Sequence, residues 1–232
     1  SLLILRCKQR GIRRFKNKNM YFQDRIQAGR LLAKRLEKYQ DKGVVVYALP
    51  RGGVVVGAQV AKLLRCPMDL IITRKIGHPS LPEYAVGAVA ENGHTVFNKE
   101  ETEKISQDYL ISEAQKQKKE ARRRRKLYLA ARKPISCNDK IAILVDDGIA
   151  TGLTIKAAVN ELKLHYHPKK IIVAVPVAPF QIISDLEKKG VSLVALDAPK
   201  DFLGAIGAYY RDFVPISDEQ VIAIMQKMQP IH

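Results

Sequence analysis

The chain has 232 residues, enough for one sizeable hydrophobic core or two small domains. Its formal net charge of +17 indicates polyanionic partners, whether phosphate-rich metabolites, nucleic acid or anionic membrane surfaces. The three cysteines, Cys7, Cys66 and Cys137, lack the spacing of metal ligands and predict a reduced, cytoplasmic protein. No apolar run approaches the roughly 20 residues of a membrane span, so we expect a soluble protein.

The N-terminal segment differs in character from the rest of the chain. Residues 1–19 are basic and contain no acid, whereas from Met20 the sequence MYFQDRIQAGRLLAKRLEKY predicts an amphipathic helix. We therefore expect residues 1–19 to be an extension that is flexible or foreign to the natural protein, with Met20 as the natural start. A nucleic-acid-binding arm is the alternative. Residues 20–232 are then expected to form one domain.

The first predicted strand leads into a glycine-rich turn. Residues 43–49 read GVVVYAL, a continuous apolar run typical of a buried parallel strand. Pro50, Arg51, Gly52 and Gly53 follow at once. The glycines let the backbone approach a ligand closely, and Arg51 adds a guanidinium suited to phosphate oxygens. An ordinary turn fits the same residues.

A second strand, residues 69–73 (DLIIT), ends in Arg74 and Lys75. Prolines at positions 79 and 82 exclude a regular helix and predict a loop over residues 76–83. Residues 84–90 and 94–98 predict an antiparallel pair joined at an Asn-Gly hairpin signal.

A long helix is predicted after Asn98, with acids in its first turn and the basic run Arg122 to Lys126 near its far end. This charge order complements the helix dipole, which favours a solvated helix face. Contact with RNA or with an acidic neighbour is the alternative.

The most informative stretch is residues 141–154, IAILVDDGIATGLT. A buried strand over residues 141–145 ends at Asp146 and Asp147. The small and hydroxyl residues after this pair predict a tight loop opening a helix, whose unpaired N–H groups attract an anion. Two carboxylates beside such a loop indicate a ligand with hydroxyls and a phosphate. A buried strand followed by a capped helix, without a ligand, is the alternative.

The remaining strands, residues 171–175 and 191–196, alternate with helical segments. This pattern predicts an α/β fold: a mainly parallel, twisted sheet flanked by helices, with a ligand crevice at the carboxyl ends of the strands. Residues 197–228 change in character and concentrate aromatic residues. Tyr209 and Tyr210 there are candidates for stacking on a planar ring, although ordinary packing fits them as well.

The motif at residues 141–154, with PRGG at residues 50–53 and RKIG at residues 74–77, resembles the type I phosphoribosyltransferases, which bind phosphoribosyl pyrophosphate (PRPP). The resemblance implies a Rossmann-like core with an inserted loop, hairpin and long helix at about residues 74–133. It implies that Asp146 and Asp147 hold the ribose. The implied 5-phosphate loop consists of Ala150, Thr151, Gly152, Leu153 and Thr154.

The same resemblance assigns the pyrophosphate half of the ligand to two other segments. Arg51, Gly52 and Gly53 would form the pyrophosphate loop, and Arg74 and Lys75 would act in catalysis together with the second carboxylate of the pair, Asp147. The loop at residues 76–83 would close over the site, and residues 197–228 would form a small C-terminal hood over the acceptor, where Tyr209 or Tyr210 could contact it. Magnesium would be held mainly by PRPP, with the Asp146–Asp147 pair as candidate ligands.

The implied reaction transfers ribose 5-phosphate from PRPP to an unidentified small-molecule acceptor, a nitrogenous base, and releases pyrophosphate. We expect a homodimer. Family members that act on 6-oxopurines carry an acid at the position of Ala150, so the resemblance disfavours hypoxanthine or guanine as the acceptor.

Three other classes of function compete with this one. A PRPP-sensing regulator that binds RNA or DNA through its basic surface keeps the same fold and the same carboxylate pair. A response-regulator receiver would carry its paired aspartates near the start of the domain, whereas here more than half the chain precedes them. The sequence contains neither GxxxxGK[ST] nor GxGxxG, which argues against nucleotide binding through a Walker loop or a dinucleotide fold.

Overall fold

The computed structural model describes residues 22–130 and 132–228, so the expectations for residues 1–19 and Met20 lie outside the described residues. Within those ranges, no helix combines the length and apolar character that a membrane span requires. The helices are α1 Arg25–Leu36, α2 Gly52–Leu64, α3 Lys99–Thr102, α4 Gln107–Leu129, α5 Leu153–Glu161, α6 Phe180–Glu187 and α7 Asp218–Lys227. The strands are β1 Val44–Ala48, β2 Met68–Leu70, β3 Thr73–His78, β4 Leu81–Ala90, β5 Thr95–Phe97, β6 Ile141–Val145, β7 Lys170–Val177 and β8 Ser192–Asp197.

The central sheet is parallel and has the strand order β2-β1-β6-β7-β8, which confirms the predicted α/β fold. Alternate side chains of β1 and β6 enter two separate apolar cores. Val46 and Ile143 belong to the core that contains residues of α1, α2 and α7, whereas Tyr47 and Leu144 belong to the core that contains residues of α5 and α6. Both faces of the sheet are therefore covered, as continuous apolar strands require.

A second sheet, antiparallel with the order β3-β4-β5, is built from the inserted segment. The region predicted as a loop, residues 76–83, lies mostly in strands: Gly77 pairs with Ala85 and His78 with Leu81, with register irregularities on either side of Gly77. Pro79 falls in the turn and Pro82 lies beside these irregularities, where a missing N–H is tolerated. The prolines exclude a helix here, as expected, but not a hairpin.

The predicted long helix is two helices, α3 and α4, separated by a turn in which the N–H of Ile105 donates to the carbonyl of Thr102. Ser106 precedes α4 with a non-helical backbone and so separates the two helices. Ala121, Tyr128 and Leu129 of α4 are buried in the same core as α1 and α2. That packing fixes α4 against the central domain, beside the carboxyl ends of the parallel strands.

Candidate functional site

The two glycine-rich turns of the sequence meet because their strands are neighbours. Ala48 of β1 pairs with Val145 of β6, and the N–H of Leu49 donates to the carbonyl of Val145 at 2.9 Å. Parallel strands present their carboxyl ends at the same edge of a sheet. The segment after β1, residues 50–53, and the segment after β6, residues 146–154, therefore begin side by side.

A cavity of about 750 Å³, which we call the cleft, lies at this edge. It is lined by residues from both sheets, from α4 and from the start of α5. Among them are Leu49, Pro50, Arg74, Lys75, Tyr84, Tyr109, Glu113, Gln117, Arg124, Asp146, Ala150, Thr151, Gly152, Leu153, Thr154 and Ile206. The structure thus brings three of the sequence-predicted groups together: Asp146, the loop at residues 150–154, and the Arg74–Lys75 pair.

Asp147 is buried and its charge is compensated within the protein. Its Oδ2 accepts a 2.7 Å hydrogen bond from Nε of Arg25 in α1. The Arg25 guanidinium also donates to the carbonyl of Val214 at 2.8 Å and lies 3.7 Å from the ring centroid of Phe213. Asp147 is therefore an anchor between α1, the motif loop and the C-terminal segment.

Asp146 lines the cleft, and its Oδ1 accepts a 2.8 Å hydrogen bond from the N–H of Asp147. Burial raises the pKa of Asp146 well above its ordinary range, and the neighbouring Asp147 carboxylate raises it further. A cation or a hydroxyl donor in the cleft would stabilise the charged form of the Asp146 carboxyl group. Of the two carboxylates, Asp146 is thus the one positioned to meet a ligand.

Gly52 and Gly53 let α2 begin directly against the carboxylate pair. A Cβ atom at Gly52 would lie 1.8 Å from Oδ2 of Asp147, and one at Gly53 would lie 2.9 Å from Cα of Asp146. Neither position accepts a side chain without movement of its neighbours. The lack of a side chain at these two glycines therefore allows α2 to begin close to the aspartates.

The loop at residues 150–154 passes into α5 through Gly152, whose φ of 76° lies in the left-handed region that favours glycine. α5 begins at Leu153, so the N–H groups of its first turn have no helical acceptor. All five loop residues line the cleft. The loop thus opens a helix, as the sequence predicted, and the end of α5 that bears partial positive charge lies at the cleft.

Arg74 and Lys75 reach the cleft from β3 of the second sheet. Nε of Arg74 donates to Oε1 of Gln117 on α4 at 3.0 Å, which fixes the guanidinium. Burial lowers the pKa of Arg74, and the nearby Arg124 lowers it further. An anion between the guanidinium groups of Arg74 and Arg124 would relieve their mutual repulsion.

Three further predicted site residues, like Asp147, Gly52 and Gly53, do not line the cleft. Arg51 is exposed, and its Nη1 lies 3.7 Å from Oδ1 of Asp218 on α7. Tyr209 and Tyr210 are buried in the core, where Tyr209 stacks on Phe202. The Tyr210 hydroxyl donates to the carbonyl of Asp147 at 2.7 Å. From this segment, the residue that lines the cleft is Ile206.

The basic run on α4 is engaged mainly with the protein itself. Nε of Arg122 donates to the carbonyl of Glu91, and Arg125 bonds to the carboxylates of Asp69 and Glu91. The two remaining arginines of the run both pair with Glu120, at 2.7 Å for Arg123 and 2.8 Å for Arg124. Arg122 and Arg125 thus hold α4 against neighbouring segments, whereas the pairs of Arg123 and Arg124 lie within the helix. The engagement of these four arginines weakens the case for a nucleic-acid surface there.

Sequence reasoning missed Arg25 and the α4 residues Glu113, Gln117 and Arg124. The available signal for Arg25 was its position on the apolar side of α1, where Leu32 and Leu36 are also buried. Ile26, the apolar residue next to Arg25 in the sequence, is instead 41% exposed. No local pattern marks the α4 residues, because their role depends on how α4 lies beside β3.

Known families and proteins resemble the chain over most of its length. The family model described as "Phosphoribosyl transferase domain" matches residues 20–206. Proteins from two strains of Mycobacterium tuberculosis, both provisionally named phosphoribosyl transferases, are 39% identical over 89% of this chain. The chain spans only 46% of the length of these relatives.

A crystal structure of TT1426 from Thermus thermophilus is 39% identical, with a TM-score of 0.75 over 91% of this chain and 100% of that one. The structural similarity extends beyond the central sheet and its helices, because the match covers 91% of this chain. The family model covers β1, β6 and both motif loops. The chain belongs to the phosphoribosyltransferase family.

Proposed function

We propose that the protein is a magnesium-dependent phosphoribosyltransferase that binds PRPP in the cleft, transfers ribose 5-phosphate to a nitrogenous base and releases pyrophosphate. The observation that carries this proposal is the convergence of three kinds of group on one cleft. These are the Asp146 carboxylate, the loop at residues 150–154 that opens α5, and the Arg74–Lys75 pair. They match the hydroxyl, phosphate and pyrophosphate parts of PRPP.

In this assignment, the carboxylate of Asp146 accepts hydrogen bonds from the ribose hydroxyls, and the N–H groups of residues 150–154 bind the 5-phosphate. The loop supplies dipoles that need no reorganisation when the ligand arrives. Asp147 acts as a positioning residue, because its carboxylate is engaged with Arg25 and its N–H holds Asp146. The site would thus orient the ribose before reaction.

Positive charge develops on the ribose as the bond from its anomeric carbon to pyrophosphate breaks. Arg74 and Lys75 would stabilise the negative charge on the departing pyrophosphate, with Arg124 adding positive potential from α4. No protein nucleophile is required for this substitution. Removal of one preorganised donor from such a site typically costs about 2.7–4 kcal/mol of transition-state stabilisation.

The residues at the cleft suit magnesium. Mg²⁺ prefers oxygen ligands and is bound through few carboxylates together with substrate phosphates. Asp146 offers a carboxylate whose burial favours a cationic neighbour. Asp147, the other candidate ligand, is already paired with Arg25. When bound with PRPP, the ion would supply positive charge to the pyrophosphate oxygens.

The acceptor would enter the part of the cleft lined by Tyr84, Tyr109 and Ile206. Aromatic rings suit a planar base. Ala150 offers no carboxylate for the ring proton of a 6-oxopurine, so we expect hypoxanthine and guanine to be poor acceptors. We further propose that residues 20–232 act as one domain in a cytoplasmic homodimer, whose assembly light scattering of the purified chain tests.

Calorimetry with PRPP and Mg²⁺ tests the binding step. The wild type should bind PRPP, and Asp146→Asn should bind it at least about tenfold more weakly, the loss expected for one hydrogen bond to a charged group. Asp139→Asn is the matched control: Asp139 is exposed, and its positive φ suits asparagine equally well. Failure of the wild type to bind PRPP would remove the proposal.

A pyrophosphate-release screen over nitrogenous bases tests turnover. Release that depends on one base identifies the acceptor and supports the transferase. PRPP binding without release for any base, together with salt-dependent binding of RNA or DNA, would instead favour the PRPP-sensing regulator.

A further inference from the structure

A second group of side chains with metal-binding chemistry lies outside the cleft lining. His94 lies between β4 and β5, Glu161 is the last residue of α5, and His165 lies one turn beyond it. One ligand atom from each of the three lies within 4.8 Å of the others. None of these residues lines the cleft. Because Glu161 and His165 are four positions apart on a helical segment, they project from the same side.

The two imidazoles already lie close together, with nitrogen atoms facing each other. Their Nε2 atoms are 2.9 Å apart, and their ring centroids are 4.8 Å apart. Two nitrogens bound to one tetrahedral Zn²⁺ at about 2.0–2.1 Å are separated by about 3.4 Å. A relative movement of about half an ångström, with loss of the hydrogen bond that the two rings share, would therefore convert this pair into two metal ligands. His165 is exposed, which leaves its ring room for that movement.

Glu161 is fully buried, and its carboxylate is incompletely compensated. One oxygen, Oε1, accepts a short hydrogen bond from the side-chain amide of Asn92, which lies in the same hairpin as His94. The other oxygen, Oε2, is buried and has no hydrogen-bond partner in the described part of the chain. A buried carboxylate oxygen without a donor is costly, and a coordinated cation would satisfy it.

The surrounding charges add to this demand for a cation. Asp69 and Glu91 are also buried carboxylates, and both bond to the same guanidinium, that of Arg125. The Glu91 carboxylate is close enough to Glu161 for the two charges to repel. Within the described residues, no salt bridge joins Glu161 to a basic side chain. The region thus holds three buried carboxyl groups, and the shared arginine pairs with two of them, Asp69 and Glu91.

We propose that His94, Glu161 and His165 form a Zn²⁺ site, with two nitrogen ligands, one carboxylate oxygen and a water molecule on the exposed side. This ligand set suits zinc rather than magnesium, which prefers oxygen throughout. The Asn92 amide serves as the outer hydrogen bond that orients the carboxylate. The site joins the β4–β5 hairpin to α5, so its role is to hold the second sheet against the helix that begins at the loop of residues 150–154. It does not depend on PRPP binding.

Calorimetric titration of the chelator-treated full chain with Zn²⁺ alone tests the proposal. His94→Asn and His165→Asn should each weaken Zn²⁺ binding by at least about tenfold, since even outer-shell changes cost about 10- to 100-fold. His167→Asn is the matched control, because His167 is exposed on the same segment and has a positive φ that asparagine tolerates. Its affinity should equal that of the wild type.

Two further readouts separate a built site from adventitious binding. Co²⁺ in place of Zn²⁺ should give the strong visible absorption of a tetrahedral site in the wild type and in His167→Asn only. Zn²⁺ should also raise the thermal midpoint of those two proteins and leave that of His165→Asn unchanged. Equal Zn²⁺ affinity in the wild type and His165→Asn, or an equal loss in His167→Asn, would overturn the proposal.

Discussion

Nε of Arg25 donates a 2.7 Å hydrogen bond to Oδ2 of Asp147, 122 residues further along the chain. Both side chains are nearly inaccessible to solvent. Removal of one partner from such a pair leaves the other charge buried and uncompensated, which is more destabilising than the pair itself is stabilising. The relationship joins α1 to the loop after β6, so it couples stability to the geometry of the cleft.

We expect Arg25→Met to lower the free energy of unfolding by about 3–5 kcal/mol, measured by chemical denaturation. Arg30→Met, an exposed position on the same helix, should change it by less than about 0.5 kcal/mol. The double variant Arg25→Met with Asp147→Asn should lose less than the sum of the single losses, because no unpaired charge remains. Additive losses would contradict a direct interaction.

Gly52→Ala should disrupt the site, although the substitution adds only a methyl group. The new Cβ would lie 1.8 Å from Oδ2 of Asp147 and 2.8 Å from Nε of Arg25, so the ion pair must move. We expect a stability loss of about 3 kcal/mol and at least a tenfold loss of PRPP affinity. Gly190→Ala is the control, since open space surrounds that position and only its left-handed backbone opposes alanine, by about 1–2 kcal/mol. A smaller effect at Gly52 than at Gly190 would refute the packing argument.

Lys75→Met should reduce turnover without reducing stability. Lys75 is exposed on β3 and lines the cleft, so its charge acts on a ligand more than on the fold. We expect kcat for pyrophosphate release to fall by about 100- to 1,000-fold, while the thermal midpoint stays within a degree or two of the wild type. Lys104→Met, exposed and outside the cleft lining, should leave both quantities unchanged.

Asp146→Asn should separate stability from function. Because burial and Asp147 both disfavour the charged carboxylate, a neutral isostere at this position should maintain or raise the free energy of unfolding at about pH 7. The same change should raise the Mg²⁺ concentration needed for half-maximal turnover, and EDTA should abolish wild-type turnover until Mg²⁺ is restored. A destabilised variant with an unchanged Mg²⁺ requirement would assign Asp146 a purely structural role.

We expect the free energy of unfolding to depend on pH through the carboxyl group of Glu91. Burial raises the pKa of Glu91 from 4.5 to about 8. The folded state therefore binds this proton more tightly than the unfolded state. Its contribution is complete below pH 4.5 and is lost as the pH rises through about 8. Each pH unit in this window lowers the free energy of unfolding by up to about 1.4 kcal/mol.

Denaturation in EDTA between about pH 5 and pH 8 measures this effect. Glu91→Gln should lack the part of the decline due to Glu91, so its stability relative to the wild type should improve as the pH rises. Glu103→Gln, at an exposed position, should run parallel to the wild type. Parallel curves for Glu91→Gln as well would show that the carboxyl group titrates normally.

The sequence by itself determined the elements whose signals are local. The apolar runs of β1 and β6 predicted buried parallel strands, and Gly152 with the residues around it predicted the loop that opens α5. Because parallel strands end at a common edge, even the approach of residues 50–53 to Asp146 was foreseeable. These features depend on neighbours along the chain and on one rule of sheet geometry.

Only the tertiary structure decided what depends on distant partners. Residues 76–83, which were expected to form a loop, lie mostly in strands because β3 pairs with β4. Tyr210 is buried in the core, and its hydroxyl donates a hydrogen bond to the carbonyl of Asp147. The tertiary structure also set Arg25 on Asp147 and His94 beside His165, pairs that no local pattern specifies. Such contacts follow from how whole elements pack, since a side chain's partner across the core is chosen by volume, charge and desolvation rather than by sequence spacing.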